Sequence, residues 1–210
     1  MAGQINLICN LICTLLCPMG ENLQNVSMLE GEIMETINLR TTDGTLSLMK
    51  NWKGKELSSV RFDDAVWGNA TELIFEDGSI FSIVGVEPRK GSFSERAESF
   101  SDDFHSFVVA PSKPNRDAKN SVDISKKIQR IEILSLKSMN RSLDLCVNAD
   151  LALILFFDDG SSISFLAANT VSDGINFYHD GPIPQKDFPD GYFLDFSGEG
   201  FLVGKERRDI

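Results

Sequence analysis

The stretch Thr71-Glu-Leu-Ile-Phe-Glu-Asp-Gly-Ser79 returns as Leu153-Ile-Leu-Phe-Phe-Asp-Asp-Gly-Ser161. In both, an apolar run reaches an acidic pair and Gly-Ser, and a second apolar run follows. That order describes a strand, a tight turn and a returning strand. Gly accepts positive φ without steric cost, and Asp tolerates that region better than most residues. Asp77-Gly78 and Asp159-Gly160 therefore predict two antiparallel hairpins. A third Asp-Gly step, within Thr42-Asp43-Gly44-Thr45, lies between Ile37-Asn-Leu39 and Leu46-Ser-Leu48, where apolar and polar residues alternate. The same rule predicts a third hairpin there.

The two longer copies match from Ala70 and Ala152 through Ser82 and Ser164. Duplication of one β-unit and convergence on the same turn chemistry both account for a match of this length. With only two good copies, a solenoid or propeller is excluded, and two related halves spanning 28–110 and 121–203 stay open. Glu56–Phe62, Ala70–Phe75, Ile80–Val86, Phe104–Val109, Lys127–Lys137, Ala149–Phe157, Ser162–Ala167 and Gly174–Tyr178 read as further strands. Tyr192–Phe196 and Gly200–Val203 read as a closing pair. The expected fold is mainly β, an antiparallel β-sandwich or partly open barrel built from Asp-Gly hairpins, with few helices. One domain over 28–203 is expected, followed by a charged, frayed tail over 204–210.

Composition agrees with a packed β domain. Fifteen Phe stand against two Tyr and two Trp, and Phe fills strand interiors with no polar tip to satisfy. The net charge of −11 and pI near 4.6 argue against a nucleic-acid binder and against contact with anionic membrane surfaces. Positive partners are favoured. The stretch Pro111–Arg130 runs the other way, with Lys113, Arg116, Lys119, Lys126, Lys127 and Arg130 against Asp117 and Asp123, and reads as a solvated loop entering an amphipathic segment.

Residues 1–27 carry an apolar run, Ile5–Cys17, that at about 13 residues is too short to span a bilayer as a helix. No Lys or Arg precedes it and no small-residue cleavage site follows, so the segment is expected to be disordered, buried or membrane-associated rather than a secretion signal. Cys9, Cys13 and Cys17 fall four apart among Leu, Ile, Asn and Thr, surroundings unlike those of a metal site. In the body of the chain Cys146 stands alone, as suits a reducing cytoplasm.

No chemical signature commits the chain to a reaction. His105 and His179 are the two histidines, and neither has a second His or Cys at ligand spacing. No Walker A pattern, dinucleotide fingerprint or nucleophile elbow occurs. The acidic turns lack the register of a calcium loop. No cofactor and no metal is expected. Tyr178-His179-Asp180-Gly-Pro gathers a phenol, an imidazole and a carboxylate on a turn, so with Asp158 and Asp159 it forms the candidate binding set. The sequence leads to a non-enzymatic acidic binding protein that engages a basic protein, for example an inhibitor or immunity-type protein against a basic toxin or nuclease. A hydrolase using His179 and Asp180, and a module tethered to a membrane through residues 5–17, are the alternatives.

Overall fold

The computed structural model describes residues 28–29, 32–33, 35–62, 70–86, 106–114, 120–141, 144–167, 175–179, 181 and 202–210. The Ile5–Cys17 run, His105, Asp180, the polar stretch 89–103 and the strand expected at 192–196 lie outside these residues.

The fold is mainly β, an open and largely antiparallel sheet with one helix among the described residues. In chain order the elements are β1 (Met28–Leu29), β2 (Glu32–Ile33), β3 (Glu35–Leu39), α1 (Asp43–Lys50), β4 (Glu56–Phe62), β5 (Ala70–Phe75) and β6 (Ile80–Val86), then β7 (Ser106–Pro111), β8 (Asn120–Asn140), β9 (Leu145–Phe157), β10 (Ser162–Leu166), β11 (Asn176–Tyr178) and β12 (Leu202–Asp209). β1 and β2 form a separate antiparallel pair. The main path runs β11-β10-β9-β8-β4-β5-β6-β7, and β12 joins β8 while β3 joins β9 in parallel.

This strand order is a palindrome of two meanders, β4 to β7 and β8 to β11, joined through the antiparallel β4–β8 contact. The ladder there faces Glu56 with Lys127 and Leu57 with Lys126. Lys55 and Ile128 also exchange contacts, the Ile128 N–H donating to the Lys55 carbonyl at 2.9 Å. Exchanging the two meanders about the Glu56–Lys127 pair maps the Leu57–Lys126 pair onto the Ile128–Lys55 contact, while the ladder itself continues only towards Phe62 and Asn120. The turns obey the same exchange. The Phe75 N–H donates to the Ser79 carbonyl at 3.0 Å, and the Phe157 N–H to the Ser161 carbonyl at 2.9 Å. Gly78 and Gly160 hold φ of 81° and 82°, a conformation that a Cβ would strain.

The 21-residue β8 serves both meanders because it is broken by irregularities. Its register slips opposite Leu57 and Ser59, where Ser125 takes φ 50°, and slips again against β9 between Ile128 and Arg130. Bulges of this kind bend a strand and increase its twist. β4 pairs with the Asn120–Lys127 part of β8 and β9 with Ile128–Asn140. Side chains of both meanders meet in one core that includes Trp52, Leu73, Phe75 and Phe107 from the first, and Ile131, Leu155, Phe157 and Phe165 from the second. β9 is buried along almost its whole length, as its dense apolar sequence requires.

Two expectations are corrected. Thr42-Asp-Gly-Thr45 does not turn a hairpin; it opens α1. Thr42 is the N-cap, extended at φ −68° and ψ 155°, and its hydroxyl oxygen accepts the Thr45 N–H at 3.3 Å. Asp43 in the first turn and Lys50 in the last oppose the helix dipole, and Met49 is buried. The helical spacing of Leu46, Met49 and Lys50 outweighs the local Asp-Gly preference. Thr42→Ala should cost about 1 kcal/mol in urea unfolding, with the slope of the transition unchanged.

The charged tail is not frayed. It forms β12, whose eight residues pair with β8 from Glu132 to Met139. Since β9 already occupies one edge of β8 over those residues, β12 must take the other. Arg208 and Ile210 are half-buried while Arg207 and Asp209 are exposed, the two-residue period of a strand.

Candidate binding groove

The Asp-Gly turn between β9 and β10 is locked by a small polar network. Asp159 Oδ2 accepts from Lys126 Nζ at 2.7 Å, and its Oδ1 accepts the Ser161 N–H at 2.9 Å and hydroxyl at 2.5 Å. Lys126 Nζ also donates to Ser161 Oγ at 2.9 Å and lies 5.9 Å from the centre of the Phe157 ring. Its counterpart in the first meander repeats the arrangement: Lys55 Nζ is 2.7 Å from Asp77 Oδ2 and 6.0 Å from the Phe75 ring centre, and Ser79 donates twice to Asp77 Oδ1.

The Lys126 ammonium, then the Ser161 hydroxyl and N–H, hold the Asp159 carboxyl well below the usual carboxylate range. Lys55 and Ser79 do the same for Asp77. A depressed folded pKa stabilises the fold above the unfolded carboxylate value of about 4, and that contribution is lost as pH falls through the folded value. Carboxyl-carbon NMR titration should thus find Asp77 and Asp159 still ionised at a pH below the ordinary carboxylate value of about 4. Lys126→Met should raise the Asp159 midpoint and leave that of Asp77 in place.

Beside the second turn is a groove of about 500 Å³. Its lining includes Phe157, Ser161, Ile163, Ile124, Asp123 and His179, with Lys126 and Gly181 also contributing. β11 brings His179 here by pairing Tyr178 with Ser164 of β10, and the Gly181 N–H donates to the Ser162 carbonyl at 3.2 Å. Phe177 stacks on Phe165 at 5.3 Å and meets the His179 ring edge-on at 6.3 Å. The fold thus brings His179 to the Asp158-Asp159-Gly160-Ser161 turn, two parts of the chain that sequence analysis singled out separately. Tyr178 lies within β11, and Asp158 and Asp159 are exposed on the turn.

The Ser161 hydroxyl donates to the Asp159 carboxylate and accepts from the Lys126 ammonium that the same carboxylate engages, so it is held within the turn's own ion pair. The same lock recurs at Asp77, where Pro111 and Ser112 stand in the place of the His179 loop. Among the described residues, no group of three or more His, Cys, Asp or Glu could hold a metal ion, and no helix is long and apolar enough to cross a membrane. Cys146 is buried, and that burial raises its thiol pKa against a weaker pull from Lys137.

Sequence reasoning missed the most buried polar cluster. Asp150 is fully buried in β9; its Oδ2 accepts from Arg208 Nη2 at 2.6 Å and from the Thr41 N–H at 2.8 Å, and its Oδ1 accepts the Ser135 hydroxyl at 2.6 Å. Ser106 Oγ lies 2.8 Å from the Asp150 carbonyl and 2.6 Å from that of Leu39. One carboxylate thereby joins β8, β9, β12 and the segment after β3. The available signal was an acid inside Cys146-Val-Asn-Ala-Asp-Leu-Ala-Leu, a run too apolar to leave its charge unpartnered. On the same strands Glu132, nearly buried, is held by Arg130, whose guanidinium stacks 3.8 Å above the Phe156 ring.

The acidity is distributed unevenly along the sequence: the segments 63–69, 87–105 and 182–201 together carry 11 carboxylates against four Lys and Arg.

No family model, curated protein or solved structure matches this chain.

Proposed function

We propose that the chain is a non-enzymatic binding protein that engages a basic protein partner, with an inhibitor or immunity-type protein against a basic toxin or nuclease as its concrete form. The observation that carries this reading is the charge of the chain, −11 overall, with a carboxylate surplus concentrated in the segments 63–69, 87–105 and 182–201. Segments linking the elements of a rigid scaffold are where proteins commonly carry recognition residues, and a field of one sign accelerates encounter with a partner of the other. The two meanders, sharing one core and bending along β8, support a partly open barrel as that scaffold. The recurrence of the lock at Asp77, where Pro111 and Ser112 stand in the place of the His179 loop, supports a turn-holding role for Asp159 and Ser161 over a hydrolytic one. The lone buried Cys146 of the β domain supports a reducing, cytoplasmic setting.

The test is affinity capture of the tagged full chain from its native lysate at low and high salt. A stoichiometric basic protein, retained at low salt and released at high salt, is the expected result. Replacing Asp63, Asp64, Asp102 and Asp103 together with Asn should slow its association several-fold while leaving the far-ultraviolet circular dichroism unchanged. Recovery of no basic protein at low salt would overturn the reading. Turnover that disappears in His179→Ala would replace it with the hydrolase.

A further inference from the structure

We propose that the groove beside the β9–β10 turn receives an aromatic side chain, an indole above all, presented by the basic partner next to a Lys or Arg. The observation is internal to the molecule. Matching locks make Phe75 the counterpart of Phe157, and the matched turns make Phe81 the counterpart of Ile163. In the first meander, Trp52 packs against that pair, its ring centre 5.5 Å from that of Phe75 and 5.2 Å from that of Phe81. Trp52 stands three residues before Lys55; the same approach to Lys126 brings Asp123 and Ile124 instead. Both line the groove, together with Phe157 and Ile163. By sequence offset Asp123, a side chain much smaller than indole, corresponds to the buried Trp52, and a concavity lies over Phe157 and Ile163, the counterparts of the two rings that Trp52 covers.

The rim supports the flanking charge. Lys126 is neutralised by Asp159, so Asp123 is the lining carboxylate with no ion pair among the described residues. Ser161 and the Gly160 to Ser162 backbone add polar edges that can meet an indole N–H or a peptide group. An aromatic anchor in a desolvated pocket, with polar groups around it, is the usual form of an interface hot spot. The identity of the partner rests on the binding reading above, whereas the fit of the groove does not.

The experiment uses N-acetyl-tryptophanamide, with N-acetyl-leucinamide as its control, and follows the methyl resonances of Ile124 and Ile163 and the imidazole resonances of His179 in the full chain. Expected are saturable shifts with the tryptophan probe, at least tenfold weaker with the leucine probe. Ile124→Trp, which fills the groove from within, should weaken probe binding at least tenfold; Ile124→Phe, the gentler filler, should act in the same direction if the larger variant does not fold. No saturable shift in the wild type, equal response to both probes, or binding indifferent to the filled variants would each overturn the proposal. Probe binding without a captured basic protein would remove the proposed partner and leave the groove assignment standing. A captured partner without probe binding would do the reverse.

Discussion

Asp150→Ala should destabilise the protein by about 3–5 kcal/mol, because it leaves the Arg208 guanidinium in a low-dielectric site without its counter-charge. The substitution also strips acceptors from the Ser135 hydroxyl and the Thr41 N–H, both of which reach Asp150 within 2.8 Å. Arg208 keeps a quarter of its side chain in solvent, so water recovers part of its charge and the lower half of that range is expected. For a domain of this size the melting temperature should fall by on the order of 10 °C. Arg208→Ala removes the other partner and should cost a similar amount. The double variant should cost clearly less than the two losses combined, since the second truncation removes the group that the first left unpaired. Deleting residues 205–210 should exceed all of these, because it also uncovers the β8 edge that β12 pairs from Glu132 to Leu136. Urea unfolding of the four proteins measures the cycle; additive losses would show that Asp150 and Arg208 act independently.

These residues mark where the sequence stops being legible. The hairpins at Asp77-Gly78 and Asp159-Gly160 can be read because alternation, a required positive φ and an acidic partner for Gly coincide within nine residues. Thr42-Asp-Gly-Thr45 carries the same turn residues, yet Thr42 is spent on capping, and a rule tied to Asp-Gly alone selects the wrong element. The strand character of β12 is masked by Lys, Glu and Arg, since the long amphipathic Arg208 takes a half-buried position between exposed Arg207 and Asp209. Only the partner acid, 58 residues earlier in the chain, gives Arg208 a reason to be inside. The pseudo-two-fold is half hidden for a similar reason. β5 and β6 echo β9 and β10 openly, but Lys55 stands 22 residues before Asp77 while the long β8 and β9 set Lys126 farther from Asp159. A linear comparison therefore loses the lysine that completes each lock. Of the candidate binding set, Asp158, Asp159 and His179 could be named from turn chemistry. That His179 shares a groove with Gly160 and Ser161 of the Asp159 turn depends on β11 pairing with β10, which no local pattern announces.

Trp52→Ala should cost about 3–5 kcal/mol, and its recovery tests the correspondence between the two meanders. Trp52 is 1% exposed and bridges Phe75 and Phe81, so truncation leaves a cavity between rings that strand pairing holds in place. The indole N–H is buried with no hydrogen-bond partner among the described residues. Trp52→Phe discards that unmet donor along with the lost volume, so it should cost less than half as much as Ala. Added indole should then raise the melting temperature of Trp52→Ala by several degrees more than that of the wild type, because a ligand that occupies the cavity only in the folded state stabilises it by mass action. If indole instead shifts both proteins equally, the cavity has collapsed, and the rings of Phe75 and Phe81 owe their spacing to Trp52 rather than to the strands. In that case the groove over Phe157 and Ile163 would have no preformed counterpart in the first meander, and its shape would have to come from Ile124 and the β11 loop alone.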